Sequence, residues 1–73
     1  MKDDLILKSI GDRIRQKRKE QGFTQEAFAL IAGFERAYYG RVERGIQNLT
    51  ILNLYKISKA LKCTPDELIK NIP

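Results

Sequence analysis

The stretch TQEAFALIAGFERAYYGRVERG, residues 24–45, places two short apolar-periodic segments in succession, each closed by a glycine. Thr24 is a good N-cap for the first, Gln25 to Ala32, with Glu26 near the positive end of the helix. Gly33 suits the left-handed residue that ends it. A second segment runs from about Arg36 to Arg44 and is closed by Gly45. With Arg36 at 0°, Gly40, Arg44, Ala37 and Arg41 fall at about 40°, 80°, 100° and 140° around that helix. Tyr38, Val42, Tyr39 and Glu43 occupy the opposite arc. The outward arc therefore carries three arginines separated only by Gly and Ala. Small side chains let such a helix approach a surface closely, and arginine offers forked donors. Entry into a DNA major groove needs both, because Arg can bind guanine O6 and N7 bidentately. A solvated basic face carries the same pattern. Gly40 costs about 1 kcal/mol relative to Ala in mid-helix. Close approach to DNA or to a neighbouring helix would account for it.

Outward from this stretch the chain remains helical in period. A first helix is expected from roughly Leu5 to Gln21, ending at Gly22, with Ile6, Leu7, Ile10 and Ile14 in one arc of about 100°. A loop from Ile46 to Leu49 leads to Thr50, the cap of a fourth helix over Ile51 to Lys62, with Leu54, Ile57 and Leu61 on one stripe. Thr64-Pro65-Asp66-Glu67 joins a capping box to Pro at the first helical position and starts a fifth helix. Residues 1–73 thus read as one compact all-α domain of five short helices. Its modest core is expected to include Phe23, Phe28, Leu30 and Ile31 near the second helix, with Phe34, Tyr39 and Cys63. Tyr38, at the edge, is placed to offer its hydroxyl to a phosphate.

Two charges fall where charges should not. With Ile6 at 0°, Arg18 lies at about 120°, at the edge of the apolar arc, and Glu43 lies on the inward arc of the third helix. Either would be costly to desolvate alone, so they are expected to pair and tie the first helix to the third. That role is structural. Five bases between Arg13 and Lys19 fit either a solvated face or phosphate contacts.

The composition excludes much. Seventy-three residues allow one small domain, without a ligand-sensing module or a deep catalytic cleft. With no His and one Cys, a Cys/His metal site, a His-based catalytic dyad and an internal disulfide are ruled out. No catalytic residue, metal or cofactor is expected, and a reducing cytoplasm is the expected setting. No apolar run approaches a membrane span. The net charge of +5 points to a polyanionic partner.

Taken together, Thr24-Gln25-Glu26-Ala27, Gly33, and Arg36 to Glu43-Arg44-Gly45 resemble the helix-turn-helix of the phage Cro/lambda-repressor-like (XRE) regulators. Asn48-Leu49-Thr50 and Ala60-Leu61-Lys62-Cys63-Thr64-Pro65-Asp66-Glu67-Leu68 look like that family's ending. The resemblance covers roughly Ile10 to Ile69, with the helix-turn-helix at about 25–44. The stretch from Arg36 through Thr50 looks most like small stand-alone members, including restriction–modification controller proteins.

This resemblance implies a five-helix lambda-repressor-like domain that binds double-stranded DNA. It gives Gln25, with Thr24 beside it, the clamping of a backbone phosphate. It gives Glu35, Arg36, Ala37 and Arg41 the reading of bases, and Tyr38, Arg44 and Asn48 phosphate contacts. The family's internal Arg–Glu bridge falls on Arg18 and Glu43. The chain departs from the family at Glu35, a poor helix cap, and at Ala37, which at most meets a thymine methyl. A homodimer is implied by the family and by surplus apolar residues: Leu52 lies opposite the buried stripe of its helix, and Leu68, Ile69 and Ile72 exceed what a short helix buries at home. The expected function is sequence-specific transcriptional regulation, with no small-molecule effector. The alternative is a protein-interaction or antitoxin-like module on the same fold.

Overall fold

The computed structural model describes residues 2–72. Its five helices, in chain order, are α1 (Lys2–Glu20), α2 (Gln25–Ala32), α3 (Arg36–Arg44), α4 (Ile51–Ala60) and α5 (Pro65–Ile69), with no strand among the described residues. The starts follow from local chemistry. Thr24 Oγ1 accepts from the Ala27 amide and Thr50 Oγ1 from the Asn53 amide, both at 3.1 Å. The Thr64 amide donates to Glu67 Oε2 at 2.9 Å, and this bond holds the Glu67 carboxyl below the usual carboxylate range.

The endings are equally local. At α2 the Gly33 amide returns to the Leu30 carbonyl and the Phe34 amide to Ala29, with Gly33 at φ 85°. The same pair of bonds closes α3 around Gly45 at φ 75°. This pattern satisfies carbonyls that the last helical turn would otherwise leave free.

Two boundaries differ from expectation. Helix α1 starts at Lys2 rather than Leu5, with Asp3 and Asp4 in its first turn facing the positive end of the helix dipole. Helix α4 stops at Ala60 rather than Lys62, because Lys62 itself takes a left-handed conformation (φ 59°) and the Cys63 amide returns to the Ser58 carbonyl.

All five helices supply the core: Ile10 and Ile14, Phe28 and Ala29, Tyr39 and Val42, Ile57 and Leu61, and Leu68. The Phe28 ring lies 5.2 Å from Tyr39 and 6.0 Å from Phe23, centroid to centroid. Phe23, Phe34, Leu54 and Cys63 close the edges. Burial raises the pKa of the Cys63 thiol, so at neutral pH it acts as a small apolar group.

Three apolar expectations are corrected. Leu30 and Ile31 are 81% and 57% exposed. The inward arc of α2 is set by Phe28, Ala29 and Ala32, and at 100° per residue Leu30 and Ile31 lie on the other side. Leu68 is fully buried and belongs to the core rather than to a subunit interface. Ile72 is half-buried against the same core. Both are drawn in because the chain end returns to α1, where Arg13 Nη1 donates to the Lys70 carbonyl. Leu52 and Ile69 stay exposed, at 61% and 43%, joined by Ile51 and Tyr55.

A close backbone approach between helices lies at a residue that helical periodicity does not single out. A Cβ at Gly11 would stand 2.5 Å from the Val42 carbonyl oxygen and 2.6 Å from that of Glu43. The backbone of α1 therefore rests directly on the end of α3. Gly11→Ala should gain about 1 kcal/mol of helix propensity and lose more, because overpacking costs about 1–3 kcal/mol and backbone carbonyls cannot rotate aside. The expected net result is a lower melting temperature, read by circular dichroism.

Candidate nucleic-acid interface

Helix α3 is held from behind rather than by its own start. Glu35 makes no side-chain cap bond and the first turn holds no acidic residue. Tyr39 and Val42 anchor the helix in the core, and Glu43 is buried beside them. Arg18 meets Glu43 with a fork: Nε donates to Oε2 at 2.6 Å and Nη2 to Oε1 at 3.1 Å. Arg18 Nη1 donates to the Phe23 carbonyl at 2.7 Å. Gln25 Nε2 donates to Glu43 Oε1 at 2.9 Å. One buried ion pair thus joins α1, the chain entering α2, the first residue of α2, and α3.

The Tyr39 hydroxyl is buried in the same place without a hydrogen bond of good geometry. Burial first, then the facing Glu43 carboxylate, push its pKa far above the ordinary phenol range. Burial alone would push the Glu43 carboxyl up. The donors of Arg18, Tyr39 and Gln25 outweigh that and hold it below the usual range.

With Glu43 turned inward, the outward side of α3 presents cationic groups only. Arg36, Ala37 and Arg44 are exposed, and Glu35 is exposed at the N-cap. Arg41 is half-buried: its Nε donates to Gln47 Oε1 at 2.9 Å, and its guanidinium lies 5.9 Å from the Tyr38 ring centre. Gly40 sits beneath this face. A Cβ there would lie 3.3 Å from Arg44 Nη1 and 3.8 Å from Gln25 Oε1, so Gly40 makes room for side chains of α3 and α2 rather than for a helix backbone.

The residues expected at phosphates have other partners here. The Thr24 hydroxyl caps α2, and Gln25 has one amide hydrogen on Glu43. The Tyr38 hydroxyl accepts from Asn53 Nδ2 at 2.9 Å, and its ring stacks on Phe34 at 5.3 Å. That hydroxyl keeps its own proton for donation. Asn48 is exposed, with its carbonyl taking a bond from Gln47 Nε2 at 3.3 Å. Gln47 and Asn53 escape a reading by helical faces. Gln47 follows the left-handed Gly45, past which the 100° rule says nothing about side-chain direction.

Comparison with known proteins agrees with this geometry. The helix-turn-helix family model HTH_3 matches residues 14–68. Control protein C.MunI from a Mycoplasma species is 38% identical over 63 residues, which cover 85% of this chain and 85% of that protein. The restriction-modification controller protein C.AhdI from Aeromonas hydrophila superposes with a TM-score of 0.82 at 40% identity, over 85% of this chain and 94% of that one. The P22 c2 repressor, solved in complex with a synthetic operator, superposes with a TM-score of 0.77 at 36% identity, over 84% of this chain and 92% of that one.

The buried network has measurable consequences. Glu43→Ala strands the Arg18 guanidinium and should cost about 3–5 kcal/mol. The double variant Arg18→Met/Glu43→Leu should cost clearly less, because no unpaired charge remains; chemical denaturation of the three proteins checks this. Because the folded-state pKa of Glu43 is depressed, its contribution is present above the unfolded value of about 4.3 and lost as pH falls through the folded one. Melting temperature should therefore drop on acidification below about pH 4, and less steeply in Glu43→Gln.

Proposed function

The chain belongs to the HTH_3 (XRE-type) helix-turn-helix family of DNA-binding transcriptional regulators, and from that premise we propose that it acts as a sequence-specific homodimer on a pseudo-palindromic operator. The observation that carries the reading is the outward face of α3. Its only carboxylate, Glu43, is buried on Arg18, so Arg36, Arg41 and Arg44 face outward around Ala37 with no negative charge from the helix among them.

In this reading α3 lies in the major groove. Arg36 and Arg41 read guanine edges, Ala37 meets at most a thymine methyl, and Glu35 at the N-cap faces the bases. Thr24, Gln25, Tyr38, Arg44 and Asn48 line the groove walls and position the helix on phosphates. Gln25 keeps one amide hydrogen for that contact, and the Tyr38 hydroxyl keeps its proton. The outward arc is cationic rather than apolar, which favours DNA over a protein partner at this face.

The dimer would form through Leu52 and Ile69, with Ile51 and Tyr55 extending the patch. A two-fold axis there would set two recognition helices about one turn of DNA (~34 Å) apart. Likeness to C.MunI and C.AhdI supports a small controller-type regulator whose occupancy follows its own concentration.

The test is an anisotropy titration of the full chain onto duplex DNA from upstream of its own gene and onto a scrambled duplex, at two salt concentrations. Preference for the upstream duplex should survive at the higher salt, whereas purely electrostatic binding would lose both duplexes alike. Arg36→Ala should cost about 1–3 kcal/mol and relax the preference at one base pair of each half-site. An unchanged preference would remove base readout from this face.

A further inference from the structure

The arginines of α3 are not held alike. Among the described residues, Arg36 and Arg44 make no side-chain hydrogen bond, whereas Arg41 is framed on two sides. Gln47, beyond the end of the helix, accepts from Arg41 Nε at 2.9 Å. A guanidinium donates and never accepts, so the Gln47 oxygen must face Arg41, and its nitrogen must face away. That nitrogen donates to the Asn48 carbonyl at 3.3 Å, which is consistent with the same orientation. On the other side lies the Tyr38 ring, itself fixed by stacking on Phe34 and by the bond from Asn53 to its hydroxyl.

We propose that Gln47 is a specificity-determining positioning residue, which fixes Arg41 so that only its terminal Nη edge meets the DNA. The proposal rests on Arg41 reading a base, as argued above. Its chemistry follows from counting donors. A guanidinium can approach guanine O6 and N7 with its two terminal nitrogens, or side-on with Nε and one Nη. With Nε engaged by Gln47, the side-on approach is closed. A free arginine samples many rotamers and meets phosphate oxygens and the acceptors of several bases nearly as well, so it adds affinity without choice. Holding it in one orientation turns a general cation into a reader of one base edge. Gln47 lies outside the helix and need not touch a base to do this.

The experiment uses the full chain. Selection from a randomised duplex library with the wild-type protein defines the preferred site. Single base-pair variants of that site are then titrated against wild type, Arg41→Ala, Gln47→Leu and Gln47→Glu. Arg41→Ala should identify one base pair per half-site where discrimination falls by about fivefold or more. Gln47→Leu should lose most of the discrimination at that same base pair and at no other, with an unchanged salt slope, because the number of cations on phosphate is unaltered. Gln47→Glu keeps the acceptor and should keep the discrimination, while the added negative charge lowers affinity for every duplex. Gln47→Leu should melt within a few degrees of wild type, since residue 47 lies in a surface loop. If Gln47→Leu weakens all duplexes equally, or leaves discrimination at the Arg41 base pair intact, the proposal is wrong. If Arg41→Ala changes discrimination nowhere, the assignment of base reading to Arg41 fails first, and the role of Gln47 falls with it.

Discussion

The fold turns on one buried ion pair. Glu43 lies on the inward face of α3, where an uncompensated carboxylate would cost several kilocalories per mole. Arg18 satisfies it with two donors and spends a third on the Phe23 carbonyl at the chain's entry to α2. Because these bonds are directional, they restrict α3 in rotation as well as position. Close by, Gly11 lets the α1 backbone rest on the Val42 and Glu43 carbonyls. Charge pairing and backbone contact thus act on the same residue of α3. A helix with no side-chain cap at its start gets its orientation from α1.

That constraint reaches the outward arginine face through Gln25. Its amide bonds to the same Glu43 carboxylate, so the first residue of α2 and the inner face of α3 move as one. Gly40 leaves space beside the Gln25 and Arg44 side chains. The outward face then shows a gradient of order. Arg36 and Arg44 make no side-chain hydrogen bond among the described residues, whereas Arg41 is framed by Gln47 and Tyr38.

The core leaves several apolar side chains on the surface. Five short helices enclose one layer of core side chains, and Leu68 and Ile72 are needed to complete it. Leu30 and Ile31 of α2, Ile51, Leu52 and Tyr55 of α4 and Ile69 of α5 are among those left outside.

Much of this was legible in the sequence, for reasons that are local. Thr24, Thr50 and Thr64 mark helix starts because a hydroxyl or capping box must meet free amides there, and Gly33 and Gly45 mark ends because those residues must turn left-handed. The arginine face of α3 follows from its 100° period, as does the inward placement of Glu43. Periodicity sorts residues by face and does not say how much of a face a neighbour covers. Apolar bulk alone counted Leu30 and Ile31 as core, although the neighbours of α2 cover only the arc of Phe28, Ala29 and Ala32. It gave Leu68 to an interface, although the returning chain buries it. Gly11, Gln47 and Asn53 act only through partners distant in sequence or beyond a reversal of the chain. The sequence alone therefore determined the helices, their faces and the charge on the outward arc of α3, because these depend on bonds within a few residues. Only the tertiary structure decided which arginine is fixed, which apolar residues remain outside and where two backbones touch, because those depend on contacts that no local period encodes.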